Sequence, residues 1–91
     1  MSEVCNFKFT DGITEEMIEE QITAAIISAE CTFGQARVRL HARYAASDGK
    51  AAINVDSDVG EHVAQVFTGL MTRKIGEENF TVEWIKDKDE K

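Results

Sequence analysis

The amino-acid sequence predicts an α+β domain of the ferredoxin-like type, a βαββαβ split βαβ sandwich, and three observations support this prediction. Four segments alternate apolar and polar side chains, which is typical of half-buried strands. Two longer segments repeat apolar residues every three or four positions, as amphipathic helices do. Asp48 and Gly49 join two of the strand-like segments, and type I′ hairpin turns prefer this dipeptide. The segment order predicts a four-stranded antiparallel sheet, in strand order 4-1-3-2, with two helices on one face.

The first strand and the first helix are predicted within the first third of the chain. Residues 4–10 alternate as a strand does, with Cys5, Phe7 and Phe9 on the inward side. The helix is expected to begin after the N-cap Thr14 and to end near Cys31. Its apolar residues recur at spacings of four, three and four, at Ile18, Ile22, Ala25 and Ala29.

The stretch 36–55 is predicted to form a β-hairpin. A two-residue turn at Asp48 and Gly49 determines which residues of its two strands face each other. The predicted pairs are Ser47 with Lys50, Tyr44 with Ile53, Arg43 with Asn54, Ala42 with Val55 and His41 with Asp56. In this register the apolar side chains of both strands fall on the same face, together with Val38 and Leu40.

The second helix is predicted to begin at a cap formed by Ser57 or Asp58 and to end before Gly76. The last strand is predicted over residues 79–85, with Phe80, Val82 and Trp84 facing inward. We therefore expect a single domain over residues 1–85, followed by a charged tail over residues 86–91.

The composition limits the expected partners and location of the protein. The chain has 91 residues and a formal net charge of -7, which disfavours a general affinity for nucleic acid or anionic lipid. Its apolar runs are all shorter than the roughly 18 residues that span a membrane, and its N-terminus does not resemble a secretory signal. The expectation is a cytoplasmic protein without membrane association.

Positive charge is concentrated on the predicted second strand, where three of the four arginines lie. Alternation should direct these side chains to the sheet face that the helices leave uncovered. The predicted binding residues on this face are Lys8, Arg37, Arg39, His41, Arg43 and Asn54. The first helix should present an acidic face on the other side of the domain, formed by Glu15, Glu16, Glu19 and Glu20.

Several interpretations of the basic strand are open. Charge on an edge strand protects it against edge-to-edge aggregation. It could also form half of a protein interface, with the glutamate-rich helix of another copy as the acidic half. RNA-recognition modules share the βαββαβ order, but they stack bases on aromatic residues of the central strands. The expected outward positions of those strands here carry no aromatic residue, which weakens the nucleic-acid interpretation.

The sequence contains no recognisable catalytic or cofactor-binding motif. His41 and Asp56 are expected to form a surface cross-strand pair rather than an acid–base site. Two cysteines and two histidines lack the spacing of a zinc site, so no metal and no cofactor is expected. Cys5 and Cys31 are expected to be reduced thiols, although the topology could make them neighbours.

The sequence therefore predicts a small, acidic, non-enzymatic protein-interaction module. It is expected to form a homodimer, or to dock on another protein, through its open sheet face. One alternative is a nucleic-acid or phospho-ligand binder that uses the basic second strand. Another is a phage or mobile-element inhibitor that targets a basic nucleic-acid-binding protein.

Overall fold

The computed structural model describes residues 3–86, which form a four-stranded antiparallel open sheet and three α-helices. The strands lie side by side in the order β2-β3-β1-β4. The strands are β1 (Glu3–Phe9), β2 (Tyr44–Ser47), β3 (Lys50–Asn54) and β4 (Phe80–Lys86). The helices are α1 (Glu15–Phe33), α2 (Gln35–His41) and α3 (Asp58–Ile75), with a short 3₁₀ turn at Glu77–Asn79. The charged tail predicted over 86–91 lies outside the described residues, except for Lys86, which ends β4.

The hydrophobic core lies between one face of the sheet and the helices. Cys5 and Phe7 of β1 are buried, and they face Ile53 and Ala51 of β3. Phe67 of α3 packs edge-on against the Phe7 ring, with 4.9 Å between ring centroids. The same positions were predicted to face inward, because period-two and period-3.6 apolar spacings place them on one face.

Side chains cap both long helices at their N-termini. The Oγ1 of Thr14 accepts a hydrogen bond from the Met17 amide at 3.2 Å, which confirms the predicted cap. Ser57, rather than Asp58, caps α3, because its Oγ accepts a hydrogen bond from the Gly60 amide at 3.1 Å. Each cap satisfies an amide that lacks a partner within its own helix.

The predicted hairpin register is confirmed for residues 44–47, which pair with residues 50–53. Tyr44 faces Ile53 and Ser47 faces Lys50, as the Asp48-Gly49 turn predicted. The ladder continues to Arg43, whose carbonyl accepts a hydrogen bond from the Asn54 amide at 2.9 Å.

The prediction that the basic segment extends the second strand is wrong. Residues 35–41 form the helix α2, so the domain has three helices instead of two, and His41 does not face Asp56. Arginine, leucine, glutamine and alanine are good helix formers, and their alternation in this segment imitated a strand. The single buried residue of α2 is Val38, whereas Leu40, expected in the core, is 68% exposed.

Gly34 makes the break between α1 and α2 possible. Its φ of 93° and ψ of 149° lie in a region that is essentially restricted to glycine. The Gly34 amide still donates to the Glu30 carbonyl at 2.9 Å and completes the last turn of α1. The chain therefore turns sharply at this residue instead of running straight into a strand.

Val82 and Trp84 face the helix side of the sheet as predicted, but they are not buried in the core. Their register partners Phe7 and Cys5 show that both side chains project toward the helix side of the sheet. However, Val82 is 45% and Trp84 48% exposed. The helices pack mainly on each other and over β2 and β3, and they leave the outer side of β4 uncovered.

Candidate functional site

The strand β4 forms an edge of the sheet and is exposed on both of its faces. It pairs with β1 on one side, and no strand of residues 3–86 lies on its other side. All side chains of residues 81–85 are exposed, including Val82 and Trp84 on the helix side and Ile85 on the open side. A long edge strand with exposed apolar side chains on both faces is a template for pairing with another chain.

The register identifies the backbone groups that β4 leaves free at this edge. The Thr10 amide donates to the Asn79 carbonyl at 3.0 Å, next to the facing pair Phe9 and Phe80. Hydrogen-bonded and non-hydrogen-bonded pairs alternate in antiparallel ladders. The amides and carbonyls of Val82 and Trp84 therefore point away from β1, toward the free edge.

The side chain of Trp84 is held by a neighbouring strand. Its Nε1 donates a hydrogen bond to Oε1 of Glu3 at 2.9 Å. The polar edge of the indole is thereby satisfied, and the remaining ring surface is left for apolar contact. Val82, Trp84 and the backbone between them form the feature that we call the β4 edge.

Sequence reasoning missed the β4 edge because alternation alone assigned Val82 and Trp84 to the core. One signal was available. In the predicted strand order the last strand lies at an edge of the sheet, where the cover provided by two helices ends. The two residues could therefore have been recognised as apolar side chains at a boundary.

The residues of the predicted basic strand lie elsewhere. The guanidinium of Arg37 stands over the ring of Phe33, 5.2 Å from its centroid. The Nη1 of Arg43 donates to the carbonyls of Ala42 at 3.0 Å and Arg39 at 3.4 Å, so this side chain closes the end of α2. Arg37, Arg39 and His41 are exposed on α2 and do not join the open sheet face.

The other predicted binding residues, Lys8 and Asn54, do lie on the open face. Asn54 is engaged with its own chain, since its Nδ2 donates to Oδ2 of Asp56 at 3.1 Å and its Oδ1 accepts from the Asp56 amide at 3.0 Å. Lys8 faces Lys50 across the β1–β3 pairing. The structure therefore separates the predicted binding set into two groups.

The acidic face predicted on α1 is exposed, and it occupies the first half of that helix. Its members are Glu15, Glu16, Glu19 and Glu20. The helix has 19 residues, so it is roughly 28 Å long. The glutamates therefore lie near one end of α1 and the arginines of α2 beyond the other end.

One contact between a serine and a histidine joins two helices. Oγ of Ser28 lies 3.1 Å from Nε2 of His62, whose ring packs edge-on against Phe33. The two residues are 34 positions apart, so no local sequence pattern signals their contact. We interpret the contact as a helix–helix hydrogen bond, because the hydrogen bonds of the described residues hold no third group that orients His62 as a catalytic base.

Burial distinguishes the two cysteines, which are both free thiols. Cys5 is buried in the core, and this burial raises the pKa of its thiol. Cys31 is exposed on α1. Residues 3–86 contain no group of three or more His, Cys, Asp or Glu side chains placed to hold a metal ion.

Comparison of the chain with protein-family models, with curated proteins and with solved structures finds no match. Within the part of the chain that the structure describes, no helix has both the length and the apolar character needed to cross a membrane. A function is therefore inferred from the geometry of the described residues.

Proposed function

We propose that this domain is a non-enzymatic protein-interaction module that forms a homodimer through its β4 edge. The observation that carries the proposal is the exposure of Val82 and Trp84 beside backbone groups that point outward. In the dimer, β4 of one copy pairs antiparallel with β4 of the second copy, around a two-fold axis perpendicular to the sheet. Such pairing adds main-chain hydrogen bonds and covers apolar side chains at the same time.

The sequence of β4 favours one register for this pairing. With the axis at Val82, each Val82 faces Val82 of the second copy, and Phe80 faces Trp84. These residues have outward-pointing backbone groups, so the facing pairs exchange hydrogen bonds. On the opposite face Thr81 lies opposite Glu83, and no like charges meet.

The neighbouring register is less favourable. With the axis at Glu83, the two Glu83 carboxylates would face each other directly, and like charges opposite each other destabilise a sheet. The register centred on Val82 avoids this contact and pairs the apolar side chains with each other. The β4 edge is therefore self-complementary in chemistry as well as in backbone geometry.

The net charge of each copy opposes its self-association. Both copies carry a formal charge of -7, so they repel at low ionic strength. Added salt screens this repulsion, and we expect the dimer to become more stable as salt increases. A contact between the arginines of α2 and the glutamates of α1 in another copy would show the opposite salt dependence.

We also infer that the domain has the ferredoxin-like architecture, with α2 inserted before the second strand. The strand order β2-β3-β1-β4 and the helix-covered face support this inference. The architecture accommodates many unrelated functions, so it adds nothing to the choice of partner.

Sedimentation velocity at several protein and salt concentrations tests the proposed dimer. The variant Val82→Lys places a charge at the centre of the β4 edge and should remain monomeric where the wild type dimerises. Ile27→Lys is the matched control, because Ile27 is an exposed apolar residue on α1, 54% exposed against 45% for Val82. A wild type that stays monomeric at high concentration and high salt, or equal effects of both variants, would contradict the proposal.

A further inference from the structure

A shallow trough of about 370 Å³ lies on the open face of the sheet, over β2, β3 and the middle of β1. Ligand sites generally start at about 300 Å³, so the trough suits a small ligand. The side chains that matter for its chemistry are Asn6, Lys8, Ala45, Ser47, Lys50 and Ala52. We call this feature the Lys8–Lys50 trough.

Two lysines face each other directly at one end of the trough. Lys8 and Lys50 are a register pair of β1 and β3. The Phe9 amide donates to the Gly49 carbonyl at 2.9 Å beside this pair, so it is a non-hydrogen-bonded pair, in which the side chains are closest. Like charges in this position destabilise a sheet, and an anion between them would remove the repulsion.

Within its own row of the sheet the lysine pair has no acidic neighbour; Glu83, on the same face, lies one row away opposite Asn6. Along the same row of the sheet, Lys50 faces Ser47 on β2 and Lys8 faces Thr81 on β4. Both neighbours are uncharged hydroxyl residues. The row therefore presents two ammonium groups flanked by hydroxyls, which are hydrogen-bond donors for an anion.

The remaining wall and floor of the trough are also available to a ligand. The side-chain hydrogen bonds of the described residues engage neither Asn6 nor Ser47 (in contrast to Asn54, which binds Asp56). Ala45 and Ala52 face each other across the β2–β3 pairing and form a flat floor of methyl groups. A small apolar group could lie on this floor, next to the charged end.

We propose that the Lys8–Lys50 trough binds a compact phosphate monoester. The phosphate lies between the two ammonium groups, and the organic part covers Ala45 and Ala52. A phosphate monoester carries close to two negative charges at neutral pH, which matches two lysines. The net charge of -7 repels a polyanion, so the surroundings favour a small ligand over nucleic acid.

Titration with phenyl phosphate at low ionic strength, followed by backbone amide NMR shifts, tests the site. We expect saturable shifts at Lys8, Lys50, Ser47 and Ala52. Either Lys8→Gln or Lys50→Gln should weaken binding by about tenfold, because each removes a charge-assisted contact. Both variants also relieve a like-charge pair, so they should fold at least as stably as the wild type.

The control variant is Lys74→Gln, which removes the same charge from the last turn of α3. It should leave phenyl phosphate affinity within twofold of the wild type. Equal losses in Lys74→Gln and Lys8→Gln would show non-specific attraction and overturn the proposal. Absence of saturable shifts in the wild type at millimolar phenyl phosphate would overturn it as well.

A second variant tests the role of the alanine floor. Ala52→Leu fills the trough, so it should weaken phenyl phosphate binding while leaving the weaker binding of inorganic phosphate unchanged. If Ala52→Leu weakened the binding of both ligands, or of neither, the proposed position of the organic group over the alanine floor would be contradicted. The same titration in Val82→Lys separates this proposal from the proposed dimer. The trough lies away from the β4 edge, so this variant should bind phenyl phosphate as the wild type does.

Discussion

The indole of Trp84 is anchored to Glu3, since its Nε1 donates to Oε1 of that residue at 2.9 Å across two neighbouring strands. A half-exposed tryptophan is thereby fixed in orientation beside an unpaired strand edge. A pre-oriented side chain loses less conformational entropy when a second surface covers it. Trp84 is also the single tryptophan of the chain, so its fluorescence reports this site alone.

We predict that the emission maximum of Trp84 shifts to shorter wavelength as the protein concentration rises. In the proposed dimer the ring lies opposite the Phe80 position of the second copy and beside its exposed Val82, and water leaves part of the indole surface. The shift should follow the same concentration dependence as the sedimentation coefficient. Val82→Lys should show no shift, and a dimer without any change in Trp84 emission would place the interface elsewhere.

A disulfide can test the proposed register. In a Cys31→Ser background, Val82→Cys should form a cross-linked dimer under mild oxidation, because Val82 faces itself across the axis and paired β-strand positions approach within disulfide range. Glu83→Cys should cross-link poorly, since Glu83 faces Thr81 in this register. The reverse pattern would indicate pairing centred on Glu83.

Two glycines of α3 should respond in opposite directions to substitution by alanine. A Cβ on Gly60 would clash with the Asn54 carbonyl oxygen, so Gly60→Ala should lower the free energy of unfolding by about 1–3 kcal/mol. Gly69 lies in the helix interior with nothing within 4 Å of its Cβ position. Gly69→Ala should raise the free energy of unfolding by about 0.5–1 kcal/mol. Urea denaturation of the two variants measures both effects, and a stable Gly60→Ala would contradict the close helix–strand approach.

The two thiols should differ in reactivity. Iodoacetamide should modify Cys31 in the native protein and reach Cys5 only on unfolding, because thiolates are the reactive species and burial raises the pKa of Cys5. Mass spectrometry of the native and urea-unfolded protein measures this difference. Modification of Cys5 at the rate of Cys31 would show that the core opens readily.

The raised pKa of Cys5 also predicts a dependence of stability on pH. As the pH rises past the ordinary pKa of a thiol, the unfolded chain loses this proton before the folded protein does. The contribution of Cys5 to the free energy of unfolding is therefore present at lower pH and declines at alkaline pH. Cys5→Ala should lack this part of the alkaline decline.

Much of the fold follows from local chemistry that can be recognised in the sequence. Thr14 had the residue type and position of a cap, and it caps α1. Asp48 and Gly49 determined the hairpin turn, and the pairing of Tyr44 with Ile53 followed from counting outward. In these cases a local preference and the tertiary fold agree, which makes sequence patterns informative.

The basic segment shows where such reasoning fails. Arg37 and Arg39 alternate with Val38 and Leu40, which imitates a strand with one apolar face. Helix propensity competes with this pattern, and the break at Gly34 allows a separate helix to form. Because the period assignment was wrong, Arg37, Arg39 and His41 were predicted to lie on the open sheet face, whereas they lie on α2.

The candidate sites depended on features that no local pattern contains. Exposure of Val82 and Trp84 depends on how far the helices extend over the sheet, which is a property of the whole domain. The predicted binding set contains Lys8 but not Lys50. In the predicted strand order both lysines lie on the open face of neighbouring strands. The significance of Lys50 appears when β1 and β3 are aligned in register and the two lysines face each other.

The two edge strands of the sheet differ in length, and this difference limits how many copies can join the sheet edge to edge. β4 has seven residues, whereas β2 has four and is preceded closely by α2. In the proposed dimer, the longer edge strand of each copy is paired and a β2 strand lies at each outer edge of the joined sheet. A strand of four residues offers few hydrogen bonds to a further molecule, so we expect the proposed assembly to stop at two copies and not to extend into a fibre.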